Sequence, residues 1–273
     1  MAAVALVAIC MGGFVMDAAV LFCALIAMHE FFSAFKQKGN HPVFGAGIVF
    51  WLMLAVMPFA SERGPGLIRF SKLGSINLFG VFLLASLIWI FAAMIFRFEK
   101  YSAVDGAITL FGSFYTVYLF SYFTLLRELD GGFYMFILAI LGCVAADSAA
   151  YMIGTKFGKR KLAPRVSPNK TVEGSIAAFA GSTVFCGLYG VILKLFHLFP
   201  SFPVYHYFII GVLLGAVAQI GDLGASAVKR YTGVKDFGKL IPGHGGILDR
   251  FDAYLIAVPI IFYYYTVFLA LCA

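Results

Sequence analysis

The chain has 273 residues, of which 62% are apolar and only 12% are Asp, Glu, Lys or Arg, with a formal net charge of +7. Because a soluble domain carries about 25% charged residues, this composition excludes a soluble fold, a disordered chain and a disulfide scaffold. Most of the chain must face lipid or other helices. The five cysteines stand singly in apolar runs and are interpreted as packing residues.

Apolar stretches recur along the chain, and about 20 helical residues cross about 30 Å of hydrocarbon. We count nine predicted spans, at 2–12, 14–35, 43–60, 76–96, 104–126, 132–155, 172–198, 204–228 and 250–271. They lack the alternation of barrel strands, which favours helices. The predicted fold is an all-α, polytopic integral membrane protein of about nine transmembrane helices with a cytoplasm-facing polar site. Residues 1–145 form the N-terminal helices and residues 146–273 the C-terminal helices that carry the site, in one continuous membrane domain.

Basic residues cluster in two windows between the predicted spans. Of 20 Lys and Arg residues, eleven lie at 156–170 and 229–250. If nine spans alternate, both windows face one side, and the positive-inside rule makes that side cytoplasmic. We therefore expect a multi-pass protein of the cytoplasmic (inner) membrane with its active site on the cytoplasmic side. The loop with Arg63, Arg69 and Lys72 falls on the other side and weakens this assignment.

Acidic residues are rare but concentrated near the C-terminus. Four of the 13 acids lie within 31 residues: Asp222, Asp236, Asp249 and Asp252. An Asp inside a span costs about 2.5–3.5 kcal/mol on insertion scales, so it marks a site or has a partner. Asp222, Ser226 and Lys229 recur at i, i+4 and i+7 and so share a helix face. A simple intrahelical ion pair is the alternative explanation.

A glycine-rich loop, Tyr231 to Gly246, follows this helix. Glycines permit positive φ and close backbone approach, so successive N–H groups can form a concave anion site. The basic side chains of the loop are those of Lys235, Lys239 and His244. Mg²⁺ usually takes one or two carboxylates plus substrate phosphates, and Asp222 and Asp249 fit that requirement. The segment has the outline of a polyphosphate and metal site.

Two segments resemble the phosphatidate cytidylyltransferases, also called CDP-diacylglycerol synthases. The first reads Ser226-x2-Lys229-Arg230-x4-Lys235-Asp236-x-Gly238-x2-Ile241-Pro242-x-His244-Gly245-Gly246-x2-Asp249-Arg250-x-Asp252. The second begins at Asp147 and ends in Ser167-Pro168-Asn169-Lys170-Thr171-x-Glu173-Gly174, which is similar to the family's upstream Ser-Pro-x-Lys-Thr-x-Glu-Gly element. A 27-residue match at this density is far more specific than a short glycine motif.

The resemblance implies that CTP and phosphatidic acid are joined into CDP-diacylglycerol and pyrophosphate, with Mg²⁺ required and a second cation site possible. It implies metal ligation by Asp222 and Asp249; Asp252 is either a ligand or an acid that orients Lys or Arg. The residues expected to act in catalysis are Asp222, Lys229, Lys235, Asp249 and Arg250. The residues expected to bind substrate are Asp147, Lys170, Thr171, Glu173, Ser226, Lys239, His244, Gly245 and Gly246.

The expected partners are CTP, phosphatidic acid and membrane lipids, with no nucleic acid, and the family resemblance implies a homodimer. A CTP-dependent lipid kinase of the polyprenol type is the alternative enzyme. A transporter or channel is the non-enzyme alternative. The acids argue against it, because they cluster with a glycine-rich loop and lysines at one membrane face and are not spread along the membrane depth. His29 and Glu30, at the end of the second predicted span, are interpreted as interfacial residues without a site.

Overall fold

A computed structural model describes residues 11–60, 72–73, 76–199, 202–240 and 245–272 of the chain. The helices are α1 (Gly13–Gln37), α2 (Phe44–Ala60), α3 (Leu78–Phe96), α4 (Ala103–Ser113), α5 (Leu119–Glu128), α6 (Gly132–Phe157), α7 (Val172–Leu195), α8 (Val204–Thr232), α9 (Leu248–Phe251) and α10 (Tyr254–Cys272). A π-helical segment, Phe114–Tyr118, joins α4 to α5. The strands are β1 (Lys72–Leu73), β2 (Ile76–Asn77), β3 (Lys161–Ala163) and β4 (Ser167–Thr171).

Seven helices in the described part of the chain are long and apolar enough to cross a membrane. They are Gly13–Gln37, Phe79–Phe96, Ala103–Glu128, Gly132–Phe157, Val172–Leu195, Val204–Thr232 and Tyr254–Leu271. The helix α2 is apolar but has only 17 residues. The chain is therefore a helical, multi-pass membrane protein, as its composition predicts.

The predicted number of nine spans is not confirmed. Every predicted span from 14–35 onward falls on helical structure, but the last one is divided by a turn at Asp252 and Ala253 into α9 and α10. Residues 2–10 of the first predicted span lie outside the described residues.

The all-α prediction missed two pairs of short antiparallel strands. Lys72 pairs with Asn77 in β1–β2, and Lys161 pairs with Thr171 in β3–β4. The β3–β4 hairpin begins inside the basic window 156–170 and ends one residue beyond it, at Thr171. Its strands contain only two apolar side chains, Leu162 and Ala163, which are adjacent, and they include Pro168, so no alternation of apolar side chains indicated strands there.

The chain divides into two compact units. The first unit comprises Met1–Leu129, Tyr231–Arg250 and Thr266–Ala273, and the second comprises Asp130–Arg230 and Phe251–Tyr265. In the first unit, α1 packs against α2, α4 and α5, and α2 packs against α3. The glycine-rich loop therefore belongs to the same unit as α1, although the two are distant in sequence.

A capping network fixes the start of α4 in the first unit. The Ser102 hydroxyl accepts a hydrogen bond from the Asp105 N–H (3.2 Å), and the Asp105 carboxylate accepts one from the Ser102 N–H (2.9 Å). This reciprocal capping box satisfies two backbone donors at the helix end. The other oxygen of Asp105 accepts the His41 N–H at 2.6 Å, which ties the segment before α2 to α4.

Small residues bring the helices of the second unit together. A Cβ atom added to Gly174 of α7 would lie 2.8 Å from the Ala150 carbonyl oxygen of α6, so only a hydrogen fits. The buried Ser182 hydroxyl of α7 donates to the Gly211 carbonyl of α8 at 2.7 Å. Close backbone approach and interhelical hydrogen bonds of this kind hold membrane helices together without a hydrophobic driving force.

Candidate functional site

The β3–β4 hairpin is fixed to the first turn of α7. The Thr171 hydroxyl caps α7 by accepting the Gly174 N–H at 3.1 Å. The Glu173 carboxylate accepts the backbone N–H groups of Lys159 (3.0 Å) and Arg160 (3.2 Å) on the chain that leads into β3. The predicted span 172–198 begins at the residue where α7 begins, Val172. In the structure, Thr171 and Glu173 hold the backbone in place, and Lys170 is the residue immediately before the cap.

Lys170 forms an ion pair with Asp222 of α8. The two side chains retain 24% and 34% of their exposure, so both are partly shielded yet open to a ligand. Asp147 of α6 lies close enough to interact electrostatically with both. The structure thus brings together two charged residues of the upstream segment, Asp147 and Lys170, and Asp222, which lies four residues before the other segment, all within the second unit. The ion pair of Asp222 therefore links α8 to β4, whereas the alternative from the sequence was an ion pair within one helix.

Asp252 lies in the turn between α9 and α10, directly against α8. Its side chain is 8% exposed, and one carboxylate oxygen accepts the Ala253 N–H at 2.8 Å. A Cβ atom on Gly221 would lie 2.7 Å from the Asp252 carbonyl oxygen. The backbone of Asp252 therefore packs against the residue that precedes Asp222. Ser226 and Lys229 follow Asp222 on α8, and both are half-buried.

In the first unit, the Asp249 carboxylate closes the glycine-rich loop on itself. Its Oδ2 atom accepts the Phe237 N–H at 2.9 Å and the Gly246 N–H at 3.0 Å. Gly245, one residue earlier, has a φ of +83°, a conformation that favours glycine. These bonds place Asp249 at the base of the loop, while the Lys235 and Lys239 side chains are exposed.

The predicted loop starts later in the structure, because Tyr231 and Thr232 still belong to α8. The end of α1 contacts this last helical turn through Lys38, the residue after α1, and contacts the middle of the loop through Phe31. The Lys38 ammonium donates to the Tyr231 carbonyl oxygen at 2.8 Å and lies 3.0 Å from the centre of the Tyr231 ring. Phe31 stacks on Phe237, with ring centroids 6.1 Å apart and an interplanar angle of 26°. The end of α8 is therefore held against the end of α1 by a charge, and the middle of the loop by an aromatic contact.

Glu30 of α1 anchors the end of the loop, and its interpretation as an interfacial residue is wrong. The side chain is only 6% exposed. Its two oxygens accept the backbone N–H groups of Ile247 (3.1 Å) and Leu248 (2.9 Å). The available signal was its position inside the predicted span 14–35, because an acid inside a span marks a site or has a partner. The adjacent His29 side chain is exposed.

An open cavity of about 510 Å³ lies between α1 and the loop in the first unit. Its polar lining comprises His29, Glu30, Ser33, Gln37, Lys235, Asp236 and Lys239. Its charged side chains are two lysines and two acids, and the exposed Lys235 and Lys239 are the groups there that can bind an anion. His244 lies outside the described residues, as do residues 241–243. Arg250, exposed at the end of α9, belongs to the first unit.

The carboxylates of both units have the donor chemistry that Mg²⁺ prefers. In the described part of the chain, no group of three or more His, Cys, Asp and Glu side chains forms a metal centre by itself. Mg²⁺ needs only one or two carboxylates when phosphate oxygens and water complete its coordination. Asp222, with Asp147 nearby, meets this requirement in the second unit, and Asp249 offers a carboxylate in the first.

Comparisons with known proteins identify the family of the chain. A family model described as the cytidylyltransferase family matches residues 1–268. The phosphatidate cytidylyltransferase of Bacillus subtilis is 37% identical over 223 residues, covering 81% of this chain and 77% of that protein. The Synechocystis protein of the same name is 31% identical over 285 residues, covering 93% of this chain and 89% of that protein. Because the family model spans nearly the whole sequence and both relatives match over most of their lengths, the chain belongs to the cytidylyltransferase family.

Proposed function

We propose that this membrane protein is a phosphatidate cytidylyltransferase, which converts CTP and phosphatidic acid into CDP-diacylglycerol and pyrophosphate. Family membership and the names of the relatives support this reaction. The structural observation that carries it is the ion pair of Lys170 with Asp222. It brings a cation that can hold phosphate beside a carboxylate that can hold a divalent cation, and it joins the upstream element that resembles the family to α8, the helix that leads into the other element.

The chemistry requires little covalent participation by the protein. A phosphate oxygen of phosphatidic acid attacks the α-phosphorus of CTP, a new P–O bond forms, and the bond to the β-phosphate breaks to release pyrophosphate. The second pKa of a phosphate monoester is about 6, so the attacking oxygen is already anionic at neutral pH and needs no general base. Catalysis therefore depends on positioning the two phosphates and on neutralising their charge.

Asp222, Asp249 and Asp252 are proposed to hold Mg²⁺, and the proposal includes a second cation. Bound Mg²⁺ neutralises phosphate charge and orients the reacting groups. This assignment rests on the family resemblance and on the oxygen donor chemistry of these side chains. Asp147 is proposed to bind CTP or metal, since its charge interacts with Asp222 and Lys170.

Basic side chains are proposed to hold the phosphates of both substrates. Lys170 is proposed to exchange Asp222 for a phosphate oxygen when CTP arrives, and its ion pair with Asp222 supports this role. Arg250 offers a planar fork that matches two phosphate oxygens. The remaining proposed phosphate or substrate contacts are made by Lys229, Lys235, Lys239, Ser226, His244, Gly245 and Gly246. Thr171 and Glu173 act in this proposal through the backbone that they hold beside Lys170.

We also propose on which side of the membrane the site lies and that the protein forms a homodimer. The β3–β4 hairpin and the segment before it expose Lys159, Lys161 and Arg165, and clustered basic residues favour the cytoplasmic face of a membrane. We accordingly place the site on the cytoplasmic side of the inner membrane. The homodimer rests on the family resemblance.

The test follows label from CTP into lipid with purified protein, phosphatidic acid and Mg²⁺ in detergent. Label in the α-phosphate should enter the chloroform phase, whereas label in the γ-phosphate should not. Asp249→Asn should lower the rate by about 100-fold or more, the scale found when one preorganised electrostatic group is removed. Asp130→Asn, at an exposed turn before α6, is the matched control and should keep the wild-type rate. Transfer of γ-label alone would replace this proposal with a lipid kinase.

A further inference from the structure

Glu30 is a buried carboxylate that is fully engaged by backbone donors of the segment before Asp249. Its Oε1 atom accepts the Ile247 N–H and its Oε2 atom accepts the Leu248 N–H, at 3.1 and 2.9 Å. Asp249 is the next residue along the chain. A buried acid with one backbone donor on each oxygen has a defined position, because both bonds must be kept at once.

The loop is also shaped around the Glu30 side chain. A Cβ atom added to Gly238 or to Gly246 would overlap the Glu30 carboxylate. Neither glycine has a positive φ, so the backbone itself would accept alanine at both positions. The absence of side chains at these two positions is therefore required by the volume of Glu30 and not by the local backbone conformation.

Glu30 and Asp249 bind neighbouring backbone N–H groups of the same short segment, so the covalent backbone at 246–249 connects their hydrogen bonds. Glu30 holds Ile247 and Leu248, and Asp249 accepts the N–H groups of Gly246 and Phe237. We propose that Glu30 is a positioning residue for Asp249: it fixes the backbone at Ile247 and Leu248 so that the Asp249 carboxylate faces the substrate phosphates in one geometry. This inference rests on the proposed function of Asp249 and assigns Glu30 no contact with substrate.

The primary test is Glu30→Gln in the α-label assay. Glutamine keeps the length of the side chain, but its NH₂ group faces one of the two backbone donors, so one of the two hydrogen bonds is lost. Loss of an outer partner of a metal-binding residue lowers activity by about 10- to 100-fold. We expect kcat to fall by this factor and the Mg²⁺ concentration for half-maximal rate to rise, with little change in KM for phosphatidic acid. Glu99→Gln, on an exposed turn after α3, should retain wild-type kinetics.

Amide hydrogen exchange gives a readout that does not depend on turnover. In Glu30→Gln, exchange should accelerate in peptides covering residues 245–250, while peptides from α7 exchange as in the wild type. If the wild type fails to label lipid, the proposed function fails, and the exchange result still decides the role of Glu30. Wild-type kcat, Mg²⁺ dependence and exchange in Glu30→Gln would overturn the positioning role.

A second perturbation leaves Glu30 in place. Gly238→Ala should displace the carboxylate and reproduce both the loss of kcat and the faster exchange. In the double variant Glu30→Ala/Gly238→Ala the space is vacated, so the rate should be no lower than in Glu30→Ala alone. Independent, multiplicative losses from the two changes would contradict the proposal, because they would place Gly238 and Glu30 in separate roles.

Discussion

The contribution of the Lys170–Asp222 ion pair to stability can be measured by a double-mutant cycle. Two unit charges 4 Å apart attract by about 4 kcal/mol at an effective dielectric constant of about 20. The side chains retain 24% and 34% of their exposure, so water and salt reduce this attraction. Pairs that are open to solvent contribute about 0.2–1 kcal/mol. We therefore expect the two substitutions to be coupled by about 1 kcal/mol in the free energy of unfolding.

The cycle uses Lys170→Met, Asp222→Asn and the double variant, with unfolding followed by far-ultraviolet circular dichroism in detergent. A loss of 1 kcal/mol lowers Tm by about 2–4 °C in a protein of this size. Lys194→Met, an exposed position in the last turn of α7, is the matched control and should leave Tm unchanged. Turnover of CTP should fall in Lys170→Met by far more than this change in stability explains. Strictly additive changes in Tm would refute the ion pair, and wild-type turnover in Lys170→Met would refute its role with CTP.

Two further predictions concern the contact between α6, α7 and the hairpin. Thr171→Ala removes the cap of α7 and should destabilise the fold by about 1 kcal/mol, as measured by Tm. Thr171→Ser keeps the hydroxyl and should recover most of the loss. Equal Tm values for the two variants would contradict the capping role. Gly174→Ala forces a methyl group against the Ala150 carbonyl and should destabilise the fold by about 1–3 kcal/mol, which lowers Tm. Gly224→Ala is the control: a Cβ atom there meets no atom within 4 Å, so Tm should not fall.

Apolar content predicted the membrane helices well. The predicted spans 132–155, 172–198 and 204–228 correspond to Gly132–Phe157, Val172–Leu195 and Val204–Thr232. Each helix must satisfy its own backbone in lipid, so its length follows from the length of the apolar run. The β3–β4 hairpin lies in the charged segment between two such runs, where that constraint does not apply. Its structure depends on backbone pairing and on the Glu173 contacts, which leave no periodic signal.

The candidate site was only partly predictable for a related reason. The residues of the glycine-rich loop were identified because they are close in sequence and chemically distinctive. The partner of Asp222 was not, since helix periodicity pointed to Lys229 while tertiary contact brings in Lys170. Glu30 was missed although the argument applied to Asp222 applies equally to it. Local patterns identify the charged residues of a membrane site, but the pairing of these residues is decided by contacts between distant helices.

The bond between Glu30 and the end of the loop has a consequence for biosynthesis. Glu30 precedes Ile247 by 217 residues. At about 5–20 residues per second, the ribosome makes Ile247 roughly 11–43 s after Glu30. During that interval α1 carries an acid whose two backbone partners have not yet been synthesised. The first described helix can therefore reach its final packing only after Ile247 and Leu248 have been synthesised, so assembly of this part of the enzyme follows the synthesis of α2 to α8.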